Sequence, residues 1–403
     1  MARTVTASGP QEAAATGGAG PGPAAAVRTR LAAIDQVRGL VIVLMVLDHV
    51  RDFFGSASVS PTDLDHTTPA LFLTRWITHF CAPTFVFLAG TGAYLAGAGR
   101  PRRELRRFLL QRGLWLVALE LTVVGFVWSF RFPSPIGFVL QVIWAIGASM
   151  VVLSALVGLP TWAVGAIGVA TIATHNLLDG IDPASFGGLA PLWILLHVQA
   201  PIPVGFVAYP LVPWVGVMAA GYAAGTLYAL PSRERLRLLV GFGLAACAGF
   251  VLLRAAGGYG DPSPWSRHRG PALTALSFLN VTKYPPSLAY LLMTLGPMAL
   301  LLAAFERWPS LERRSLATFG RVPLFAYVVH LAIAHLAAGL LGIGLGFGTA
   351  ILVGLPFGYP KDWGLPLPGV YAAWAGVLLA LYPACAWFAG VKRRRTEWWL
   401  RYL

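Results

Sequence analysis

The chain alternates between long apolar runs and short polar interruptions. Ten of the runs come near the roughly 20 residues that an α-helix needs to cross a bilayer. They lie near residues 34–54, 70–98, 108–129, 136–158, 161–178, 209–229, 236–256, 286–304, 322–346 and 370–391. An eleventh apolar stretch, 189–203 (LAPLWILLHVQAPIP), is short and interrupted by proline. It predicts an interfacial or re-entrant segment rather than a span. The expected fold is therefore all-α, a polytopic membrane bundle of about ten transmembrane helices. Residues 1–27 are mostly Ala, Gly, Pro, Ser and Thr. They have too few large apolar side chains to bury a core, and predict a disordered tail. No compact apolar segment with a cleavage site follows a basic start, so no signal peptide is expected and the first span directs insertion. Residues 28–403 read as a single transmembrane domain.

Composition agrees with the pattern. Hydrophobic residues make up 57% of the chain and charged residues 11%; soluble domains carry about 25% charged residues. A large soluble domain is excluded, because no long stretch after residue 30 lacks membrane-length apolar runs. The net charge of +14 could suggest a nucleic-acid partner, but its distribution gives it another meaning. An N-terminus in the cytoplasm with alternating loops places 22 of the 30 Lys and Arg on the cytoplasmic side. The other side keeps eight: Arg51, Arg75, Arg131, Arg254, Arg267, Arg269, Lys283 and Lys361. This is the positive-inside bias, and it predicts an N-in, C-in topology with no nucleic acid bound. Cys81, Cys247 and Cys385 all sit in apolar segments without metal-ligand spacing, so no metal is expected.

Against this background the polar residues inside spans stand out. The first span reads IDQVRGLVIVLMVLDHVRDFF and carries Asp48, His49, Arg51 and Asp52 near its end. Ionisable groups at membrane depth cost several kcal/mol each unless partnered, which makes them candidates for a site. In the second span Arg75 and His79 are spaced i,i+4 and share a helix face. By helix rise, His79 lies ~13 Å from its entry point and His49 ~8 Å from the end of its span, so the two can reach a common depth. The ninth span carries Tyr327 and His330, also on one face, and the third carries Glu120. None of the eight histidines falls in a cytoplasmic segment. A histidine with a neighbouring carboxylate suits proton abstraction near neutral pH. A buried ion-pair knot, Asp48 or Asp52 with Arg51 or Arg75, explains the same charges structurally. The loop FLNVTKYPPS presents Asn280 and Lys283 either to a polar ligand or as a cap on the next helix.

The pattern RLAAIDQVRGLVIVLMVLDHVRDFF followed by THFCAPTFVFLAG resembles a bacterial family of polytopic membrane proteins. That family is grouped with the catalytic domain of heparan-α-glucosaminide N-acetyltransferase. The resemblance continues through YPLVPWVGVMAAGY, FLNVTKYPPS and FGRVPLFAYVVH to Trp398-Trp399. The link to the acetyltransferase rests on Ile34-Asp35 and Arg38-Gly39, on the element from Pro83 to Gly90, and on Gly320, Tyr327 and His330. The resemblance implies transfer of an acetyl group from cytoplasmic acetyl-CoA to an amino sugar across the membrane, with a histidine near the outer face. In the acetyltransferase that histidine lies between the first two spans. Here His66 is nearest in sequence, whereas the bacterial motif emphasises Asp48-His49 and His79. Val322-Pro323 also replaces an Asn-Ser pair.

The expected reactive set is therefore His49 and His79 with Asp48 and Asp52, the histidine serving as general base or as acyl carrier. Arg51, Arg75, Tyr327, His330, Asn280 and Lys283 are expected at the acceptor, and Arg103, Arg107, Arg112 and Arg321 at the anionic end of CoA. The expected partners are the lipid bilayer, a sugar or glycan acceptor, and a second copy of the chain as a homodimer. The expected location is the plasma (inner) membrane. Intramembrane Asp, Glu, His and Arg also suit a proton-coupled small-molecule transporter. The two readings separate on geometry: an enzyme needs a cavity joining the Arg-rich mouth to His49 and His79, whereas a carrier shows pseudo-symmetry about a midplane site.

Overall fold

A computed structural model describes residues 23–56, 60–395, 397 and 400. Most of the expected tail, and the Trp398-Trp399 pair, fall outside these residues. The helices in chain order are α1 (Pro23–Phe54), α2 (Pro69–Gly97), α3 (Arg102–Ser129), α4 (Val142–Leu156), α5 (Thr161–Leu178), α6 (Ala190–His197), α7 (Leu211–Ala229), α8 (Ser232–Ala256), α9 (Pro271–Leu279), α10 (Leu288–Arg307), α11 (Arg314–Arg321), α12 (Pro323–Gly344) and α13 (Leu367–Arg394). Three short strands, Phe138–Leu140, Ala200–Ile202 and Gly205–Val207, form one small sheet. The fold is an all-α polytopic bundle, and the chain is a multi-pass membrane protein.

A helix occupies each of the ten expected positions. Eight of them, among the described residues, are long and apolar enough to cross a membrane. The other two are α1, which carries the charge cluster, and α4, with 15 residues. The fourth span starts later than its apolar pattern suggests. Gly137 takes φ 77°, outside the helical region, and residues 138–140 pair as a strand before the helix begins at Val142. The stretch 189–203 becomes the eight-residue α6 followed by a strand pairing. At 1.5 Å per residue α6 is only ~12 Å long and does not span.

Burial sorts the helices into core and rim. Two-thirds (67%) of the apolar window of α10 is buried, but only 17% of that of α5. Large apolar side chains such as Trp162, Val169, Leu252, Leu379 and Trp387 point outward from α5, α8 and α13, as lipid contact requires. Central α1 packs against α2, α10, α11, α12 and α13, and Ile42, Val46, Val50 and Phe53 are fully buried. A buried pair between Arg235 of α8 and Glu306 of α10 fastens two neighbours near the basic end.

Two motif glycines permit the closest helix approach. A Cβ on Gly39 would lie 1.9 Å from the Leu316 carbonyl oxygen, and one on Gly320 would lie 1.9 Å from that of Asp35. The α1 and α11 backbones therefore touch, as small residues allow in membrane bundles. Gly320→Ala should force them apart and cost about 1–3 kcal/mol. This would be read as a lower thermal midpoint in detergent; an unchanged midpoint would refute the tight contact.

Candidate functional site

The charges at the end of α1 are partnered. Both oxygens of Asp48 lie 2.8 Å from Arg75 Nη1 of α2. Arg51 Nη1 stands 2.8 Å from Asp48, and Arg51 Nη2 donates to Asp52 at 2.6 Å. Lys283, from the loop between α9 and α10, brings its Nζ to 4.0 Å from Asp48. Three cations thus surround two carboxylates, which is how charge persists away from water. The arrangement is the ion-pair tie between the first two spans, extended by Lys283. Asn280 is used elsewhere in the loop: its amide donates to the Thr62 carbonyl at 3.1 Å.

His49 is held differently. Its Nδ1 lies 2.7 Å from His330 Nε2, and His330 Nδ1 lies 2.8 Å from the Ala326 carbonyl oxygen. A carbonyl only accepts, so His330 Nδ1 carries the proton and Nε2 of the neutral ring accepts. His49 Nδ1–H then donates to it, and His49 Nε2 is left with its lone pair. No hydrogen bond among the described residues uses that nitrogen. His49 keeps some accessible surface although Asp48, Val50 and Phe53 beside it are buried. Trp128 and Tyr327 set their rings edge-on to His49, with centroids 5.1 and 5.9 Å away. The buried Tyr327 hydroxyl has no aligned partner.

Each element places its residue for a local reason. Trp128 follows a π-helical turn, Glu120–Val124, in α3. Such turns shift the helix face and recur at functional sites. Glu120 in that turn accepts from the Trp144 N–H at 2.9 Å and so caps the start of α4. His335, about a turn and a half beyond His330, lies 2.8 Å by Nδ1 from the Val127 carbonyl and fixes α12 against α3.

The structure does not join His49 and His79 by a hydrogen bond among the described residues. His79 is buried on the Arg75 side with Nδ1 unpartnered, and Tyr290 donates to its backbone carbonyl at 2.7 Å. Neither Asp48 nor Asp52 hydrogen-bonds a histidine there; both pair with arginines. The partner of His49 is another histidine, 281 residues away in sequence. His66 is an exposed loop residue 2.8 Å from Asp63. That hydrogen bond raises the His66 pKa and lowers that of Asp63.

A cavity of about 430 Å³ opens among the basic residues. This is within the range of roughly 300–1,000 Å³ typical of small-molecule sites. Arg38, Arg112, Arg321 and Lys392 line it together with Asp35. The wall is otherwise largely apolar, from α2, α3 and α4, and includes Met45 and Tyr327. Met45 and His49 are spaced i,i+4 on the same face of α1, so the cavity reaches one helical turn short of His49. Of the arginines expected at a CoA group, Arg112 and Arg321 line this space. Arg103 and Arg107 are exposed and outside it. Sequence reading did not single out Arg38 or Lys392 here. Arg38 also donates to the Leu88 carbonyl at 2.9 Å, and Gly92 leaves room for its guanidinium.

Residues 30–252, more than half of the chain, match the family described as heparan-alpha-glucosaminide N-acetyltransferase, catalytic. The matched stretch contains Arg38, Asp48, His49, Arg75 and His79; Tyr327 and His330 lie beyond it. No curated protein matches the chain.

Proposed function

The chain belongs to the heparan-alpha-glucosaminide N-acetyltransferase catalytic family, and from that premise we propose that it moves an acetyl group from cytoplasmic acetyl-CoA to a sugar or glycan acceptor on the opposite face of the plasma (inner) membrane. One observation supports this above the others: a cavity with a cationic mouth and an apolar shaft leads toward a histidine whose second nitrogen keeps its lone pair. In this reading the basic mouth faces the cytoplasm, following the positive-inside bias.

Arg38, Arg112, Arg321 and Lys392 would hold the phosphates of the CoA nucleotide, as clustered guanidinium and ammonium groups do. The bound thioester supplies an activated acetyl carbonyl. His49 Nε2 takes the proton from the acceptor amine or hydroxyl as its new bond to the carbonyl carbon forms and the carbon–sulfur bond breaks. The same proton then leaves with the thiolate as free CoA. His330 accepts from His49 Nδ1–H throughout, which orients the ring and spreads the charge of the transient imidazolium. Tyr327, at the inner end of the cavity, donates its unpartnered hydroxyl to the oxygen where negative charge develops. The transporter reading lacks a comparable observation.

The test is acetyl transfer by the purified protein in liposomes, with labelled acetyl-CoA and a panel of amino sugars and glycans. CoA release that depends on an acceptor is expected. Absence of acetyl-CoA binding by calorimetry at millimolar ligand would overturn the proposal. A second check addresses the mouth. Arg112→Gln with Arg321→Gln should raise KM for acetyl-CoA about tenfold or more, because charged hydrogen bonds contribute about 1.5–3 kcal/mol each. The kcat should change little, because these residues lie away from the reacting bond. An unaltered KM would place the nucleotide elsewhere.

A further inference from the structure

A second cluster of polar side chains lies apart from the cavity and from His49. His175 is in the last turn of α5, Asp179 follows that helix, and His197 ends α6. One ligand atom from each of the three lies within 4.8 Å of the others. His197 Nε2 is 2.9 Å from Asp179 Oδ1. His175 and His197 are 2% and 1% exposed. Both ring nitrogens of His175, and Nδ1 of His197, are buried without an aligned hydrogen bond among the described residues; the Pro286 backbone lies near His175 without making one. Imidazole nitrogens hidden from water without a partner are costly, so this much unmet capacity in one place calls for a ligand.

We propose that His175, Asp179 and His197 bind a divalent transition-metal cation of the zinc type. Two imidazoles and one carboxylate form a borderline donor set that suits zinc, and three protein ligands leave a fourth position for water. The surroundings resemble the supports that ligands of such ions usually have. Asn176 donates to the second oxygen of Asp179 at 2.7 Å, which fixes the carboxylate. Its own oxygen accepts from the Leu288 N–H at 2.9 Å, at the start of α10. The ion would therefore clamp α5 and the non-spanning α6 to each other and, through Asn176, to α10. That clamp gives α6 and the strands after it a fixed seat at the end of the bundle opposite the basic mouth.

The test uses the full-length protein in detergent, stripped with dipicolinate and then given zinc alone. One zinc per chain is expected after gel filtration. Cobalt in place of zinc should give visible absorption bands of a four-coordinate site, and zinc should remove them. Asn176→Ala, which leaves all three ligands in place, should weaken zinc binding about 10–100-fold. His175→Gln with His197→Gln should abolish it. No zinc above the detergent blank in the wild-type protein, or a cobalt spectrum of the free aqueous ion, would overturn the proposal. So would full zinc retention by the double variant. Because the wild-type stoichiometry and spectrum decide the matter alone, a variant that fails to fold does not protect the proposal. None of these readouts depends on acetyl transfer.

Discussion

His49→Ala is expected to lower acetyl transfer by about 10²–10⁴-fold, the usual contribution of a positioned general base. The effect should fall on kcat, with KM for acetyl-CoA nearly unchanged, because the cationic mouth lies about 11 residues and ~16 Å of helix away from His49 at Arg38. His330→Ala should be less severe. It removes the acceptor that orients His49 Nδ1–H at 2.7 Å, but leaves Nε2 in place. His79→Gln tests the other histidine of the motif. His79 is separate from the His49–His330 pair among the described hydrogen bonds, so most of the transfer should survive. The measurement is steady-state kinetics in liposomes, with each variant first checked for a native gel-filtration profile. Full activity in His49→Ala, or loss in His79→Gln with normal folding, would move the base to the Arg75 side of the cluster. Covalent labelling of the protein by the acetyl group, abolished in His49→Ala, would show that the same histidine works as a carrier.

Much of the architecture was legible because lipid imposes simple rules. Apolar runs of membrane length marked all ten helical positions, and the basic loops marked one end of the bundle. The irregular parts were less legible. The delayed start of α4 depends on Gly137 at positive φ and on the pairing of residues 138–140 with 205–207, a contact distant in sequence that the apolar pattern does not disclose. The ion-pair tie was foreseeable, since a buried Asp48 must find a cation and Arg75 lies on the adjoining span. The link between His49 and His330 was not, because no local spacing relates residues on the first and ninth spans. The place of Arg38 and Lys392 in the cavity wall was not legible for a different reason. The cytoplasmic ends of spans are basic in any inner-membrane protein, so charge alone cannot pick out the residues that line a cavity. His175 and Asp179 are close in sequence, on the 3-10 turn that ends α5 and the residue after it. Their third partner, His197, comes from α6, whose packing against the bundle the sequence did not disclose.

Asp48→Ala is expected to destabilise the folded protein by about 3–5 kcal/mol, the cost of removing one partner from a buried ion pair. The magnitude follows from what remains. Arg51, Arg75 and Lys283 now surround Asp48 and Asp52, whereas the variant would leave three cations to Asp52 alone. Arg75 loses most, since both oxygens of Asp48 lie 2.8 Å from its Nη1. Removing the cation as well should recover part of the loss. In Asp48→Ala with Arg75→Ala the excess of cations over carboxylates falls from two to one, the same as in the native cluster. The double variant should therefore be more stable than the sum of the single effects, with a coupling of about 0.5–3 kcal/mol. Recovery should stay incomplete because Lys283 also loses its carboxylate, and because the tie between α1 and α2 is gone. Thermal midpoints of the three variants in one detergent measure this directly. Additive losses would mean that Asp48 and Arg75 do not interact in the folded protein. A fully stable Asp48→Ala protein that no longer transfers acetyl groups would place Asp48 in the chemistry rather than in the scaffold that holds His49 against α2 and α12.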